Sequence, residues 1–392
     1  MLLSISSYSQ ETKGDKYFQE AKDWLDKGSN EKAIQSLLDS RAAYLNAKNY
    51  YRYFVATQSI SNIYQDLNDG AEAEKIILDA INTIPKDTND LLELHAKLED
   101  NLGYTYLYNL NELEKGVNAY SQSISIYETI GKSNTKGIAM ELVNRALTYQ
   151  KLSMFDRSNK DLVSAISIYE KIEDTPLEEL ANNYYSLGLN CIQLQEFDQA
   201  LSYLQKGLNL INDLPTSEIH VLFYNAIGNA YADQSNHQLA LKNYELSKSI
   251  AEKLFGKDAD HYCQSINLIG DAYKNMGDWE TALSNYQEIL VLYQKTPPKD
   301  LDNVIYLMIS VSNTMTGLGM FDKARVVDEQ ALIFVTAAFG ENSQQEAEVY
   351  KHMGVVAYNH GEDDKSLTYN FKALSLLESS NYTKNGYYAE VL

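Results

Sequence analysis

Small and hydrophobic positions recur along this chain at a long, regular interval. An apolar residue precedes a small one, and an aromatic residue follows three places later, as at Gly103 and Tyr106. Twelve residues after the small site comes a second small residue, then an aromatic residue or Leu, as at Gly270, Ala282 and Tyr286. The first small sites, 40 to 43 residues apart, are Ala21, Ser61, Gly103, Ala146, Gly188, Gly228, Gly270, Ser312 and Gly354. Self-similarity at such a period is typical of repeat architectures.

Each repeat is predicted to be two closely crossing helices joined by a short polar turn such as Gly277-Asp278. Small residues allow the helices to approach, and large residues three or four places away lie on the same helical face. Proline breaks a helix, and all five prolines fall between repeats: Pro85, Pro176, Pro215, Pro297 and Pro298. The pattern predicts an all-α, right-handed α-solenoid of about nine repeats over residues 10–384.

Three repeats, the third, the eighth and the ninth, depart from this pattern. The third repeat separates its small sites, Gly103 and Gly116, by thirteen residues, so we expect one extra residue in its turn. The eighth and ninth repeats have Asp328 and Asn370 where a large packing residue is expected. These polar residues predict looser packing toward the C-terminal end.

The spacing of small and aromatic residues resembles the tetratricopeptide repeat family. The 42-residue step, with joins ending Leu254-Phe255-Gly256 and Ala338-Phe339-Gly340, is most similar to the long kinesin-light-chain-type subclass, over roughly residues 15 to 380. The resemblance implies a fold for binding partners rather than a particular reaction. Long arrays of this kind are often fused to CHAT protease, kinase or transcription-factor domains, which implies an alternative role as part of a bacterial TPR–CHAT-type protein.

Both ends of the sequence carry signals of their own. Residues 1–9 of MLLSISSYSQ resemble the last part of a secretory signal peptide, which predicts a periplasmic or secreted protein; a plain N-terminal tail and a cytoplasmic location are the alternative. Residues 385–392 resemble the start of a further repeat, so we interpret the sequence as part of a longer protein. No run of 18 apolar residues occurs, so no membrane span is predicted.

The charge of the chain argues against nucleic acid as a partner. The formal net charge is −21, with 54 acidic residues against 33 basic ones, whereas phosphate binding depends on Lys and Arg. Anionic membranes are disfavoured for the same reason. The acidity either keeps the array soluble or forms a surface for a basic partner.

Motifs for catalysis, cofactors and metals are absent from the sequence. Gly131-Lys132-Ser133 has Ile126 where a phosphate-binding loop needs its first glycine. The six histidines are scattered, and His261 near Cys263 is an isolated pair. Two cysteines, Cys191 and Cys263, are too few for a disulfide framework. The sequence therefore predicts a protein that is not an enzyme and holds no cofactor or metal.

Candidate binding residues come from the helix face expected to line the groove of a solenoid. This face includes positions two or three before, one after, and four or five after each first small site. The resulting candidates are Asn101, Asn144, Tyr185, Asn225, Asn229, Asn267, Asp271, Lys274 and Asn313. Asparagine can donate to and accept from the backbone of an extended peptide. The alternative is that these side chains are solvated or join neighbouring helices.

We place a central contact site at Asn225, Asn229, Asn267 and Asp271, with Asp271 and Lys274 setting the charge preference. The leading hypothesis is a non-catalytic scaffold that binds a protein or peptide in this groove. The alternative is the sensing or substrate-presenting region of a larger effector whose catalytic domain follows Leu392. No feature of the sequence indicates a particular oligomeric state.

Overall fold

The computed structural model describes residues 2–133, 135–257 and 259–379. Helices account for all regular structure in these ranges, and a π-helical segment, Thr105–Leu110, directly continues α5. The helices are α1 (Leu2–Leu25), α2 (Asn30–Asn46), α3 (Tyr50–Asp66), α4 (Gly70–Thr83), α5 (Asn89–Tyr104), α6 (Leu113–Thr129), α7 (Lys136–Lys151), α8 (Phe155–Tyr169), α9 (Leu177–Gln193), α10 (Phe197–Ile211), α11 (Glu218–Asp233), α12 (His237–Phe255), α13 (Asp260–Asn275), α14 (Trp279–Lys295), α15 (Asp302–Gly317), α16 (Phe321–Phe339), α17 (Gln344–Asn359) and α18 (Asp363–Ser379).

The chain forms two compact units, Met1–Glu196 (unit 1) and Phe197–Leu392 (unit 2). Unit 1 contains α1 to α9 and unit 2 contains α10 to α18. Within each unit every helix packs against the next helix along the chain. Packing between sequence neighbours is what defines a solenoid, and the predicted all-α solenoid class is confirmed.

The eighteen helices of the described chain correspond to two per predicted repeat. The first small sites lie on the odd-numbered helices, which we call first helices, and the second small sites on the even-numbered second helices. All five prolines lie outside the helices, as predicted. Side-chain caps begin several second helices, for example Asp69 on α4, Asn236 on α12 and Asp278 on α14, by accepting a backbone N–H of the first turn.

At three first small sites, Gly103, Gly228 and Gly270, the glycine is matched by a tyrosine on the second helix. A Cβ atom added to Gly228 would lie 2.3 Å from Cε1 of Tyr244, and one added to Gly270 would lie 2.6 Å from Cε1 of Tyr286. Where the second helix has Leu or Ile instead, the first small site is usually Ala or Ser, as in Ser61 with Ile77, although Gly188 is paired with Leu204. A tyrosine ring at this position of the second helix therefore requires glycine at the first small site.

We predict that Gly228→Leu destabilises unit 2 by about 1–3 kcal/mol, because the new side chain occupies the space of the Tyr244 ring. Urea denaturation followed by circular dichroism measures the change. Glu245→Leu, at an exposed position of α12, is the control for added apolar surface. Adding Tyr244→Ala to Gly228→Leu should recover part of the loss, and an unaltered denaturation midpoint for Gly228→Leu would contradict the crossing described here.

The extra residue of the third repeat lies in the first helix rather than in the turn. Thr105–Leu110 forms a π-helical turn, and the backbone N–H of Glu112 donates to the carbonyl of Tyr106 at 2.9 Å. Asn111 then adopts the left-handed conformation with a φ of 53°. A π-helical turn takes in an additional residue without ending the helix, which explains why the predicted position of the extra residue was wrong.

Asp328, the polar residue of the eighth repeat for which looser packing is predicted, is buried and contacts a histidine of the next repeat. Asp328 is 1% exposed, and its Oδ1 lies 3.0 Å from Nδ1 of His352 on α17. In the ninth repeat Asn370 packs on Gly354, where an added Cβ would lie 2.2 Å from the Asn370 Oδ1. Polar residues fill these positions by making hydrogen bonds or close contacts instead of apolar ones.

The two ends of the chain are described only in part. Helix α1 begins at Leu2, so residues 2–9, set apart in sequence as a signal-peptide remnant, continue into the first repeat. Residues 385–392, interpreted as the start of a further repeat, lie outside the described residues. Within the described ranges, no helix combines the length and the apolar character needed to cross a membrane.

Candidate functional site

Tyrosines of several second helices pass beneath a glycine and reach the face of the first helix. The hydroxyl of Tyr244 donates to Oδ1 of Asn229 at 2.8 Å, and that of Tyr286 donates to Oδ1 of Asp271 at 2.7 Å. Each acceptor directly follows the glycine under which the ring lies. Glycine provides room for the ring, and the next residue holds its hydroxyl. This arrangement fixes Asn229 and Asp271, two of the predicted groove residues.

Asp271 is the centre of a hydrogen-bonded group in unit 2 that we call the Asp271 cluster: Asn267, Asp271, Lys274, Tyr286 and Tyr306. Besides Tyr286, its Oδ1 accepts from Nζ of Lys274 at 2.8 Å. Its Oδ2 accepts from the hydroxyl of Tyr306 on α15 at 3.1 Å, and Nδ2 of Asn267 lies 3.5 Å away. The cluster therefore links the first helices of two consecutive repeats, α13 and α15.

Burial and the Asp271 carboxylate keep the tyrosine hydroxyls of this cluster protonated. Burial and, next, the charge of Asp271 raise the pKa of Tyr306 to about 12 and raise that of Tyr286 as well. The pKa of Tyr244 is also raised, first by burial and then by Asp233 and Asp271. The hydroxyls are thus hydrogen-bond donors at neutral pH, and they hold Asp271 in one orientation.

Two open cavities adjoin Tyr306. One, of about 200 Å³, lies between α13 and α15 and is lined in part by Asn267, Tyr293 and Asn303. The other, of about 340 Å³, lies between α15 and α17 and is lined in part by Ile309 and Gln345. Such cavities can accommodate side chains of an extended peptide against their apolar surface. The amide and hydroxyl groups beside them can form hydrogen bonds with the peptide backbone.

The predicted residues of unit 2 differ in how their polar groups are used. Asn225 is 6% exposed, and neither polar atom of its side chain has a hydrogen-bond partner among the described residues. Asn267, at the equivalent position of the next repeat, has no such partner for its Oδ1. Asn229 is bonded to Tyr244, Lys274 to Asp271, and Asn313 is exposed on α15. The structure thus brings Asn267, Asp271 and Lys274 together.

In unit 1 the predicted residues take part mainly in contacts between helices. Asn101 is 7% exposed; its Nδ2 donates to Oγ of Ser61 at 2.8 Å, and its Oδ1 accepts from Nε2 of Gln65 at 2.6 Å. Tyr185 is half-buried on α9, and burial raises its pKa. Asn101 therefore joins α3 to α5, which is the alternative that the sequence left open for the asparagines.

Asn144 belongs to a second polar group, the Asp100 cluster, which consists of Asp100, Tyr120, Glu141 and Asn144. Nδ2 of Asn144 donates to Oδ1 of Asp100 at 3.3 Å. A hydrogen bond joins the carboxyl groups of Asp100 and Glu141, and Glu141 is only 4% exposed. Burial, and then the nearby charge of Asp100, raise the pKa of Glu141 to about 9. Glu141 is therefore the protonated member of the pair at neutral pH.

Sequence reasoning missed Tyr306, Glu141 and the second-helix tyrosines as parts of polar groups. Tyr306 lies six residues before its small site, outside the positions that were considered. The hydroxyls of Tyr244 and Tyr286 could have been found, because a glycine followed by Asp or Asn on the first helix accompanies each of these tyrosines.

The described residues include no group of three or more His, Cys, Asp and Glu side chains placed to hold a metal ion. Nε2 of His261 lies 3.1 Å from the carboxylate of Glu218, so this histidine is engaged at the junction of α11 and α13. Cys191 and Cys263 are both buried, and neither takes part in a disulfide.

Family comparison agrees with this geometry. Two models described as tetratricopeptide repeat match the chain, at residues 181–213 and 219–295. Residues 181–213 and 219–295 of this chain are thus tetratricopeptide repeats. The second match spans α11 to α14, which carry Asn225, Asn229, Asn267 and Asp271. The repeats here therefore include the glycine and tyrosine pairs described above.

Two proteins of Arabidopsis thaliana are similar in sequence. KINESIN LIGHT CHAIN-RELATED 3 is 25% identical over 162 residues, and KINESIN LIGHT CHAIN-RELATED 2 is 24% identical over 164 residues. Each match covers 41% of this chain but only 24% of the plant protein. The matches support the long, kinesin-light-chain-type form of the repeat.

Solved structures share the fold over nearly the whole chain. RapI in its apo form aligns with a TM-score of 0.64 at 15% identity, covering 94% of this chain and 98% of RapI. The apo quorum sensor NprR from B. thuringiensis aligns with a TM-score of 0.61 at 12% identity, covering 93% of this chain and 98% of NprR. At these identities the likeness concerns the fold alone.

Proposed function

We propose that this protein is a non-catalytic scaffold that binds an extended peptide segment of a partner along the first helices of unit 2. The observation that carries the proposal is the state of Asn225 and Asn267. These equivalent residues of consecutive repeats have polar atoms that are buried without a hydrogen-bond partner among the described residues. Leaving a buried amide unbonded costs about 1–3 kcal/mol, so a ligand that bonds it gains much of that free energy.

Backbone amides of an extended peptide have the chemistry that these side chains need. Asparagine offers both a donor and an acceptor, and a peptide bond offers the complementary pair. The cavities on either side of Tyr306, of about 200 and 340 Å³, are open to side chains of the peptide. Asp271 is held rigidly by its donors, so the surface is organised before binding and less ordering is required of it.

The structural neighbours are compatible with such a role. NprR, whose fold covers 93% of this chain, is described as a quorum sensor, a protein that responds to another molecule. We extend from this only the idea that a solenoid of this length recognises a small partner. The proposal that the partner is a peptide rests on the asparagine side chains of the groove and not on the similarity to NprR.

We predict that Asn225→Ala together with Asn267→Ala weakens peptide binding about tenfold, since two hydrogen bonds at roughly 0.5–1.5 kcal/mol each are lost. The probe is the tightest binder selected from a random 12-residue peptide library on the wild-type protein. Isothermal titration calorimetry gives its dissociation constant for each variant.

The matched control is Asn243→Ala together with Asn285→Ala. These asparagines lie on second helices α12 and α14, where each Nδ2 donates to a backbone carbonyl of its own helix. Equal affinity of the wild type and the Asn225/Asn267 variant, with unchanged circular dichroism, would rule out this groove. A selection that yields no binder would contradict the peptide proposal itself.

A further inference from the structure

Unit 1 contains an acidic site whose charge no residue of the described chain neutralises. Asp100 lines an open cavity of about 370 Å³ on the first-helix face, together with Gln58, Asn62 and Tyr104. Behind it lies Glu141, 4% exposed, with an Oε2 that has no hydrogen-bond partner among the described residues. In that part of the chain, neither carboxyl group forms an ion pair with Lys or Arg. Buried carboxyl groups without a cation are rare unless they are functional or share a proton.

A second, independent feature points to a ligand at the same place. Tyr120 on α6 is fully buried, its ring lies against Gly103, and its hydroxyl has no partner among the described residues. In unit 2 the hydroxyls of Tyr244 and Tyr286 bond to the residue that follows the glycine. Here that residue is Tyr104, which offers no carboxylate or amide. Tyr120 therefore brings an unused hydroxyl to the Asp100–Glu141 pair.

The charges of Asp100 and Glu141 act on the Tyr120 hydroxyl. The pKa of Tyr120 is raised first by burial and then by the charges of Asp100 and Glu141. Its hydroxyl thus stays protonated and keeps lone pairs that can accept a hydrogen bond. Tyr104, 45% exposed, presents its ring at the cavity with Tyr108 at 4.6 Å between ring centroids. Aromatic faces beside carboxylates favour a cation, and a guanidinium above all.

We propose that the Asp100 cluster binds a basic side chain, arginine in particular, of the partner protein. A guanidinium in the cavity can donate to Asp100 and stack on the Tyr104 ring, and its charge also compensates the carboxyl group of Glu141 buried behind Asp100. Amide side chains from Gln58 and Asn62 line the same cavity and can bond the adjacent backbone. The proposal rests on the proposed function only in taking the partner to be a protein or peptide; it concerns a different unit and different residues.

Binding of a cation changes the protonation of the pair. In the free protein burial raises the pKa values of both Asp100 and Glu141, so the pair retains a proton at neutral pH. When a guanidinium enters, both carboxyl groups can be ionised, so that proton leaves to solvent. The charged and titratable groups that face the pair are Tyr104, Tyr108, Tyr120 and Tyr127, with Asp66 at the same cavity. Burial raises the pKa values of Tyr108, Tyr120 and Tyr127, so these hydroxyls keep their protons and the released proton comes from the carboxyl pair.

The experiment selects binders from a random 12-residue peptide library on the full chain and then replaces their basic residue. For a selected peptide with arginine, citrulline keeps the shape of the side chain but removes the charge. We expect citrulline to weaken binding to the wild-type protein by about tenfold or more. With Asp100→Asn and Glu141→Gln together, arginine and citrulline peptides should bind equally. Calorimetry at pH 7.5 in phosphate and in Tris should give close to one proton released per arginine peptide bound to the wild type.

A matched control removes the same two charges elsewhere in unit 1. Asp87→Asn with Glu173→Gln changes exposed residues of the joins between repeats, and the preference for arginine should persist. A preference that also persists in the Asp100/Glu141 variant would overturn the proposal, since it would then reflect the overall charge of −21. Selected peptides without basic residues would overturn it as well. The Asn225→Ala/Asn267→Ala variant should leave the arginine-to-citrulline ratio unchanged, so failure of the unit 2 groove is distinguishable from failure here.

Discussion

Replacing His352 with leucine is expected to destabilise unit 2 by about 3–5 kcal/mol, because it leaves the buried carboxylate of Asp328 without its bonding partner. Asp328 is 1% exposed, so water cannot readily take the place of the imidazole. The measurement is the free energy of unfolding from urea denaturation at neutral pH. His237→Leu, a half-buried histidine at the first position of α12, is the control for the change of residue type.

Comparison with the other repeats suggests a second substitution that should rescue the His352→Leu variant. At the position of Asp328 other repeats have Leu or Ile, and Ser61 with Ile77 shows that a serine at the small site accepts such a side chain. Asp328→Leu added to His352→Leu should therefore restore most of the lost stability, since an apolar pair of suitable volume replaces a buried polar one. If the single His352→Leu variant unfolds at the same urea concentration as the wild type, the Asp328–His352 contact contributes nothing to stability.

The contrast between Asp328 and Tyr286 illustrates how far the sequence determined the fold. Spacing of small and large residues predicts two helices per repeat, because close helix crossings restrict side-chain volume and proline restricts the backbone. Those rules do not specify how a polar residue at a packing position is satisfied. The partner of Asp328 is His352, 24 residues away on another helix, and no local rule connects the two. The same holds for the extra residue of the third repeat, which the π-helical turn of Thr105–Leu110 takes in.

The candidate sites were predictable to a smaller extent. The position rule for a groove-lining face identified Asn267, Asp271 and Lys274, which the structure brings together. It also selected Asn101, which the structure uses to join α3 and α5. The position of a residue within the repeat predicts which face of the helix its side chain occupies. The hydrogen bonds of that side chain depend on residues of other repeats, which the position does not specify. The Asp100–Glu141 pair, formed by residues 41 positions apart on α5 and α7, could be recognised only in three dimensions.

The stability of the protein should fall as the pH rises from about 5 to 9, and Glu141→Gln should reduce that dependence. The pKa of Glu141 is raised from 4.5 to about 9 in the folded protein, by burial and by Asp100, so the folded state holds a proton that the unfolded state releases in this range. Because the folded state binds more protons, its stability decreases with increasing pH. The slope for one proton is at most about 1.4 kcal/mol per pH unit. Asp100, whose pKa is also raised, acts in the same direction.

Urea denaturation at pH 6, 7 and 8 tests this dependence, with the difference between the wild type and Glu141→Gln as the quantity compared. That difference removes contributions of other titrating groups, including buried His95, whose lowered pKa acts in the opposite direction. Glutamine keeps the size of the side chain and can donate to Asp100, so the variant should be the more stable protein at pH 8 and gain over the wild type with each step in pH. Glu173→Gln, an exposed substitution with the same loss of charge, should follow the wild type. Parallel curves for the wild type and Glu141→Gln would mean that Glu141 is ionised in the folded protein, and that no proton is available for a basic side chain to displace.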